Sequence, residues 1–267
     1  MAPELHFQWS VAVALALAAT ASMVGPVLVA LWWRRRSGAP MSVWGAGALV
    51  FVVSQCVLRL PWQIPLGIWM GPRIHGSRVL SFGWIAASAL TAGVFEEVGR
   101  WGGYRWIVKK ERSFRTGVMF GLGHGGIESM LLVGLTLFGT LATYTLVAVA
   151  PSVLKLPPET LEKLVTAMSA LHPGDFTAAV VERVMALTFH VAASLLVLQC
   201  FVGGSKAWVV LAVLLHFLAD FVAVGGAVEL KSHGSLVAES AGLPVFFLSI
   251  GIIAWSRRRL APAAAPS

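Results

Sequence analysis

Apolar residues along this chain come in long unbroken runs, not in the narrow stripes of a helix that turns one face to water. Seven runs are long enough to cross a bilayer, for which about 17–25 residues are needed. They cover roughly Trp9–Trp33, Met41–Leu58, Leu80–Ile107, Thr116–Val149, Thr177–Val202, Ala207–Val228 and Leu236–Trp255. The pattern predicts an all-α fold, a polytopic membrane bundle of about seven transmembrane helices forming a single domain over residues 1–267. Two stretches depart from simple spans. The fourth run is unusually long and carries "GLGHGG" near its start, which predicts a kink, a broken start or a strong tilt. The connection "PPETLEKLVTAMSALHPGD" places Leu161, Leu164, Val165, Met168 and Leu171 at helical spacing between prolines. That predicts a short amphipathic helix on the membrane surface, serving as a connector. Residues 256–267, ending in "APAAAPS", are expected to form a disordered tail.

Composition agrees with the pattern and adds an orientation. Hydrophobic residues make up 57% and charged residues 12%, against about 25% charged in soluble domains. The formal net charge of +8 is not a nucleic-acid signal, because the basic residues abut the ends of apolar runs. Ten Lys and Arg residues follow the first, third and seventh runs, and Lys206 joins them. Six lie on the other side: Arg59, Arg73, Arg78, Lys155, Lys163 and Lys231. The positive-inside rule then predicts an outside N-terminus and a cytoplasmic C-terminus. Cys56 and Cys200 both lie inside apolar runs, so no disulfide framework is indicated. "MAPELHFQW" lacks the basic start of a cleavable signal peptide.

Against this background the ionisable residues inside the spans stand out: Glu96, Glu97, Arg100, His124, Glu128, Glu182, Arg183, His190, His216 and Asp220. Each alone has an ordinary explanation, as a helix-linking hydrogen bond or ion pair. Together they carry a large cost in hydrocarbon, about 3 kcal/mol or more for a charge at the bilayer centre, and they supply bases, cations and metal ligands. Glu97, His124 and His216 each lie nine or ten residues from the basic end of their span. At 1.5 Å per residue that is one common depth of roughly 14–15 Å, with His190 within about two turns. Glu97 and Arg100 are i,i+3 neighbours, so Arg100 can pair with and aim that carboxylate. Glu96 points about 100° away and meets different neighbours. His124 shares a face with Glu128, and His216 shares one with Asp220, which can either ligate or orient the ring. The inventory fits a hydrolytic zinc site with histidine and carboxylate ligands and a separate glutamate to deprotonate water. The soluble HExxH pattern is absent, so a metal-free carboxylate/histidine mechanism stays open.

"FEEVGR" (95–100), "FGLGHGGIE" (120–128), "ERVMALTFH" (182–190) and "HFLAD" (216–220) resemble the YhfC family of bacterial membrane proteins, intramembrane metalloproteases related to the CAAX-protease and bacteriocin-processing (CPBP) superfamily. Phe120–His124 and His216–Asp220 follow two superfamily elements, the second with aspartate in its last place. Arg100 follows the glutamate pair one residue early, as the lysine does in PrsW-type relatives. Pair order then favours Glu96 as the base, while the partnership with Arg100 favours Glu97. The resemblance implies hydrolysis of a peptide bond in a membrane-embedded substrate within the bacterial cytoplasmic (inner) membrane. Its core spans residues 96–220, with Glu96, Glu97, Arg100 and Glu128 as catalytic candidates. His124, His190, His216 and Asp220 are the ligand candidates for a divalent metal, zinc first. Glu128, Glu182 and Arg183 also link helices. Two other classes use the same residues: a non-catalytic membrane scaffold, and a proton-coupled transporter. The transporter is disfavoured because no inverted repeat is visible.

Overall fold

The computed structural model describes residues 5–230 and 234–260. Seven helices are long and apolar enough to cross a membrane. In chain order the helices are α1 (Trp9–Ser37), α2 (Met41–Ile74), α3 (Arg78–Ile107), α4 (Phe114–Val149), the short α5 (Pro158–Ser169), α6 (Pro173–Val202), α7 (Ala207–Leu230) and α8 (Val237–Arg259). There is no strand among the described residues. The protein is an integral membrane helix bundle, and a belt of exposed side chains such as Leu17, Leu28, Ile68, Leu135 and Phe247 faces outward.

Local signals start and stop these helices. Ser113 and Thr116 exchange hydrogen bonds in a capping box at the start of α4. Gly38 ends α1 in the left-handed conformation, at φ 72°. Pro173 opens α6, where its missing N–H would have had no helical partner.

Three features differ from the sequence expectations. First, α2 does not end at Leu58: it passes through a π-helical stretch at Val52–Arg59 and continues to Ile74 despite Pro61, Pro65 and Pro72. Arg59 is therefore no outer-loop charge but a buried helical residue, 7% exposed. Its guanidinium donates to Gln55 Oε1 (2.8 Å) and to the Ser88 carbonyl (2.7 Å), and these bonds let a charge sit where a loop end was expected. Second, the irregularity in α4 falls after the glycine-rich segment, as a π-helical stretch at Ser129–Gly134, while Phe114–Glu128 is regular. Third, α8 runs through Arg259, so residues 256–259 are helical and do not belong to the expected tail. Residues 261–267 and Lys231 lie outside the described residues.

Helix α6 is the hub of the bundle and its most buried span. It packs on α4, α8, α1 and α7, while α2 lies against α4 and α3 against α7. The α2–α4 crossing is close because a Cβ on Gly123 would collide with the backbone of Trp44. Small residues at such crossings let membrane helices approach to backbone contact. At the far end, Leu161, Leu164, Val165, Met168 and Leu171 of the α5 region pack into a cluster with Leu15, Tyr144 and Phe176. The predicted amphipathic face exists, and it closes on the bundle as a connector would.

Candidate functional site

Helix α3 delivers Glu96, Glu97 and Arg100 into the middle of the bundle, where α4 brings His124, α6 brings His190 and α7 brings His216. All six are buried; Glu97, Arg100 and His124 have no exposure at all. The common depth read from the sequence becomes direct contact. His124 Nε2 meets Glu96 Oε2 at 2.8 Å, and His216 Nδ1 meets Glu97 Oε1 at 2.7 Å.

Arg100 holds the carboxylates apart and in place. Its Nε donates to Glu97 Oε1 at 3.1 Å, and Nη2 reaches Glu96 Oε2 at 3.4 Å. The same guanidinium donates to Ser194 Oγ (2.9 Å) and meets His190 Nδ1 at 2.7 Å. Because arginine can only donate, His190 Nδ1 must accept, which places the proton on Nε2. That nitrogen lies 2.5 Å from Glu128 Oε2. Glu128 is in turn paired with Arg183 at 3.2 Å, and Arg183 with Glu182 beside it. Glu128 thus reaches the centre through His190 alone, while Glu182 and Arg183 form the next layer out.

His190 can come this close to α4 because position 125 is glycine: a Cβ there would stand 2.7 Å from the His190 ring. The imidazoles of His124 and His190 lie 5.3 Å apart, and those of His190 and His216 5.9 Å apart. Asp220 is less engaged. Its carboxylate is 3.6 Å from His216 Nε2, beyond a hydrogen bond, and 38% of its side chain is exposed. It sits at a pocket of about 290 Å³ that His190, Glu128, Phe189, Val245 and Phe246 also line.

Two further groups belong to the cluster and were missed in the sequence. Gln55 donates its side-chain amide to Glu96 Oε1 and accepts from Arg59, and Ser194 receives Arg100. Both are polar residues in apolar runs, a visible but weak signal. A span ending at Leu58 puts Gln55 three residues from its boundary, where a polar side chain is ordinary. The π-helical stretch that contains it is the kind of irregularity that often marks functional sites.

The donor set fits a divalent metal. One ligand atom each from Glu96, His124 and His190 lie within 4.8 Å of one another. His216, having given Nδ1–H to Glu97, presents Nε2 as a lone pair 3.7 Å from Glu96 Oε1. A carboxylate orienting one ring nitrogen while the other faces outward is a common arrangement behind histidine ligands. His124 Nδ1 is buried without a hydrogen-bond partner among the described residues. Four carboxylates, Glu96, Glu97, Glu128 and Asp220, border these rings, and among the described residues Arg100 and Arg183 are the permanent cations touching them, Arg183 being shared with Glu182. A dication would balance that excess of negative charge.

Fold and site together define a polytopic membrane protein with a buried glutamate, histidine and arginine centre shared by four helices. The chain belongs to the YhfC intramembrane metalloprotease family, whose match covers residues 21–238. It is similar to the uncharacterized membrane protein YhfC of Bacillus subtilis (strain 168), with 27% identity over 261 residues, covering 88% of this chain and 93% of that protein. No solved structure matches the chain.

Proposed function

We propose that this protein hydrolyses peptide bonds of membrane-embedded substrates in the bacterial cytoplasmic membrane, with Glu96 as general base beside a histidine-bound metal, zinc first. The observation that carries this reading is the meeting of Glu96 with three imidazoles inside the bundle. His124 and His216 would hold the metal, with Asp220 at the mouth as a further oxygen ligand; His190 would join them only by exchanging the Arg100 guanidinium at Nδ1 for the metal. When bound, the metal supplies Lewis-acid activation of water and of the peptide carbonyl. Glu96 accepts a proton from the attacking water and returns it to the departing amine as the C–N bond breaks. Gln55 and Arg100 fix the two oxygens of that carboxylate. Glu97 and Glu128 aim the rings of His216 and His190. The pocket lined by His190 and Asp220 gives substrate a lateral approach between α6, α7 and α8.

Two measurements on one variant test the proposal. Membrane-protein cleavage products are compared between cells expressing wild-type and Glu96→Gln protein, and metal is quantified in both purified proteins. The expected result is loss of specific products by about 10²–10⁴-fold in rate with metal retained. Loss of metal together with activity would make Glu96 a ligand and not the base. Identical product sets would remove the protease reading and leave the scaffold.

A further inference from the structure

A second feature lies away from the Glu96 cluster, none of whose residues lines it. Between α1, α4, α6 and α8 runs a crevice of about 1470 Å³. That is larger than the roughly 300–1,000 Å³ of a pocket for a drug-sized molecule. Its walls are apolar, formed by Val29, Leu122, Leu187, Val191 and Ile253. The crevice is also lined by Arg36, Arg115, Arg257 and Arg258, with Trp32 and Trp33 beside them. Three basic stretches far apart in the chain thus converge on one slot.

These guanidiniums have little acidic company. Glu111 stands 3.8 Å from Arg115 with both side chains half-exposed, and among the described residues no carboxylate lies within 4 Å of Arg36, Arg257 or Arg258. Clustered guanidiniums without carboxylates repel one another, and their planar donor forks suit phosphate oxygens. Trp33 donates Nε1–H to the Arg115 carbonyl at 3.0 Å, which ties its ring to the arginines, and tryptophan favours the headgroup level of a bilayer. A small soluble anion has no use for the apolar trench, and a zwitterionic lipid brings with its phosphate an ammonium that the four guanidiniums repel.

We propose that this crevice binds an anionic glycerophospholipid, with its phosphate among Arg36, Arg115, Arg257 and Arg258 and its acyl chains along the trench. Basic pockets between membrane helices are suited to such headgroups. The proposal stands apart from the protease reading, since it neither uses nor alters the Glu96 cluster.

The test is native mass spectrometry of the full chain in detergent. Phosphatidylglycerol and phosphatidylcholine with matched acyl chains are offered in equal amounts, with and without millimolar glycerol phosphate. The wild-type protein should retain phosphatidylglycerol in preference. Arg36→Gln with Arg257→Gln, both on exposed side chains, should lower that preference by about 25-fold, roughly fivefold for each arginine. Ala254→Trp, at an exposed position lining the crevice, should reduce retention of both lipids by filling the trench. Equal retention of the two lipids by wild type, or unchanged selectivity in the double variant, would overturn the proposal. So would displacement of phosphatidylglycerol by glycerol phosphate, which would make the site one for a free phosphate.

Discussion

Arg100 touches Glu96, Glu97, the His190 ring and Ser194 with one guanidinium that neither lipid nor water reaches. Removing it leaves two buried carboxylates short of their cation, a change that typically costs 3–5 kcal/mol. Arg100→Gln should therefore lower thermal stability by about that amount, read by melting in detergent, and Arg100→Lys should recover only part because a point charge cannot serve several acceptors. Glu97 predicts a different outcome from Glu96. Its carboxylate aims His216, so Glu97→Gln should weaken metal binding by about 10–100-fold, measured by competition with a chelator. Unchanged affinity would show that His216 does not depend on Glu97 for its orientation. The charged members of this cluster were legible in the sequence because an ionisable group in an apolar run is costly and so stands out. Gln55 and Ser194 were not, because neutral polar side chains are ordinary inside membrane helices and only their partners reveal a role.

At the scale of elements, the glycines of α4 decide how near the helices lie. Gly123 lets α2 cross against backbone, and the same turn of α4 carries His124. A methyl group there has no space and faces a carbonyl that cannot yield as a side chain would. Gly123→Ala should cost at least 1–3 kcal/mol, the usual penalty of overpacking. It should also lower metal occupancy, read by metal analysis of whatever folded protein is recovered; full occupancy at wild-type stability would show that the crossing can relax. Helix positions were readable from apolar length alone, whereas the π-helical stretches in α2, α3 and α4 were not. A single inserted turn residue leaves hydrophobicity unchanged and follows from how neighbouring helices pack.

For the whole molecule, the basic ends of α1, α4 and α8 gather at one end of the bundle, as the crevice lining shows. With Arg59 moved from the outer loop into the core, the charge asymmetry behind the predicted orientation grows. A reporter fused after Arg259 should therefore be cytoplasmic, and Thr160→Cys, on the exposed side of α5, should be labelled by impermeant reagents from outside. Labelling of Thr160→Cys only from the cytoplasmic side would invert the topology. The sequence by itself determined the number of spans and the level at which Glu97, His124 and His216 sit, because both follow from counting residues along helices of constant rise. Only the tertiary structure decided which faces turn toward one another. Rotation about a helix axis is set by packing against neighbours, and a span that is apolar all round carries no stripe to declare it. That rotation pairs Glu96 with His124 and Glu97 with His216, hands His190 to both Arg100 and Glu128, and leaves Asp220 at the pocket mouth.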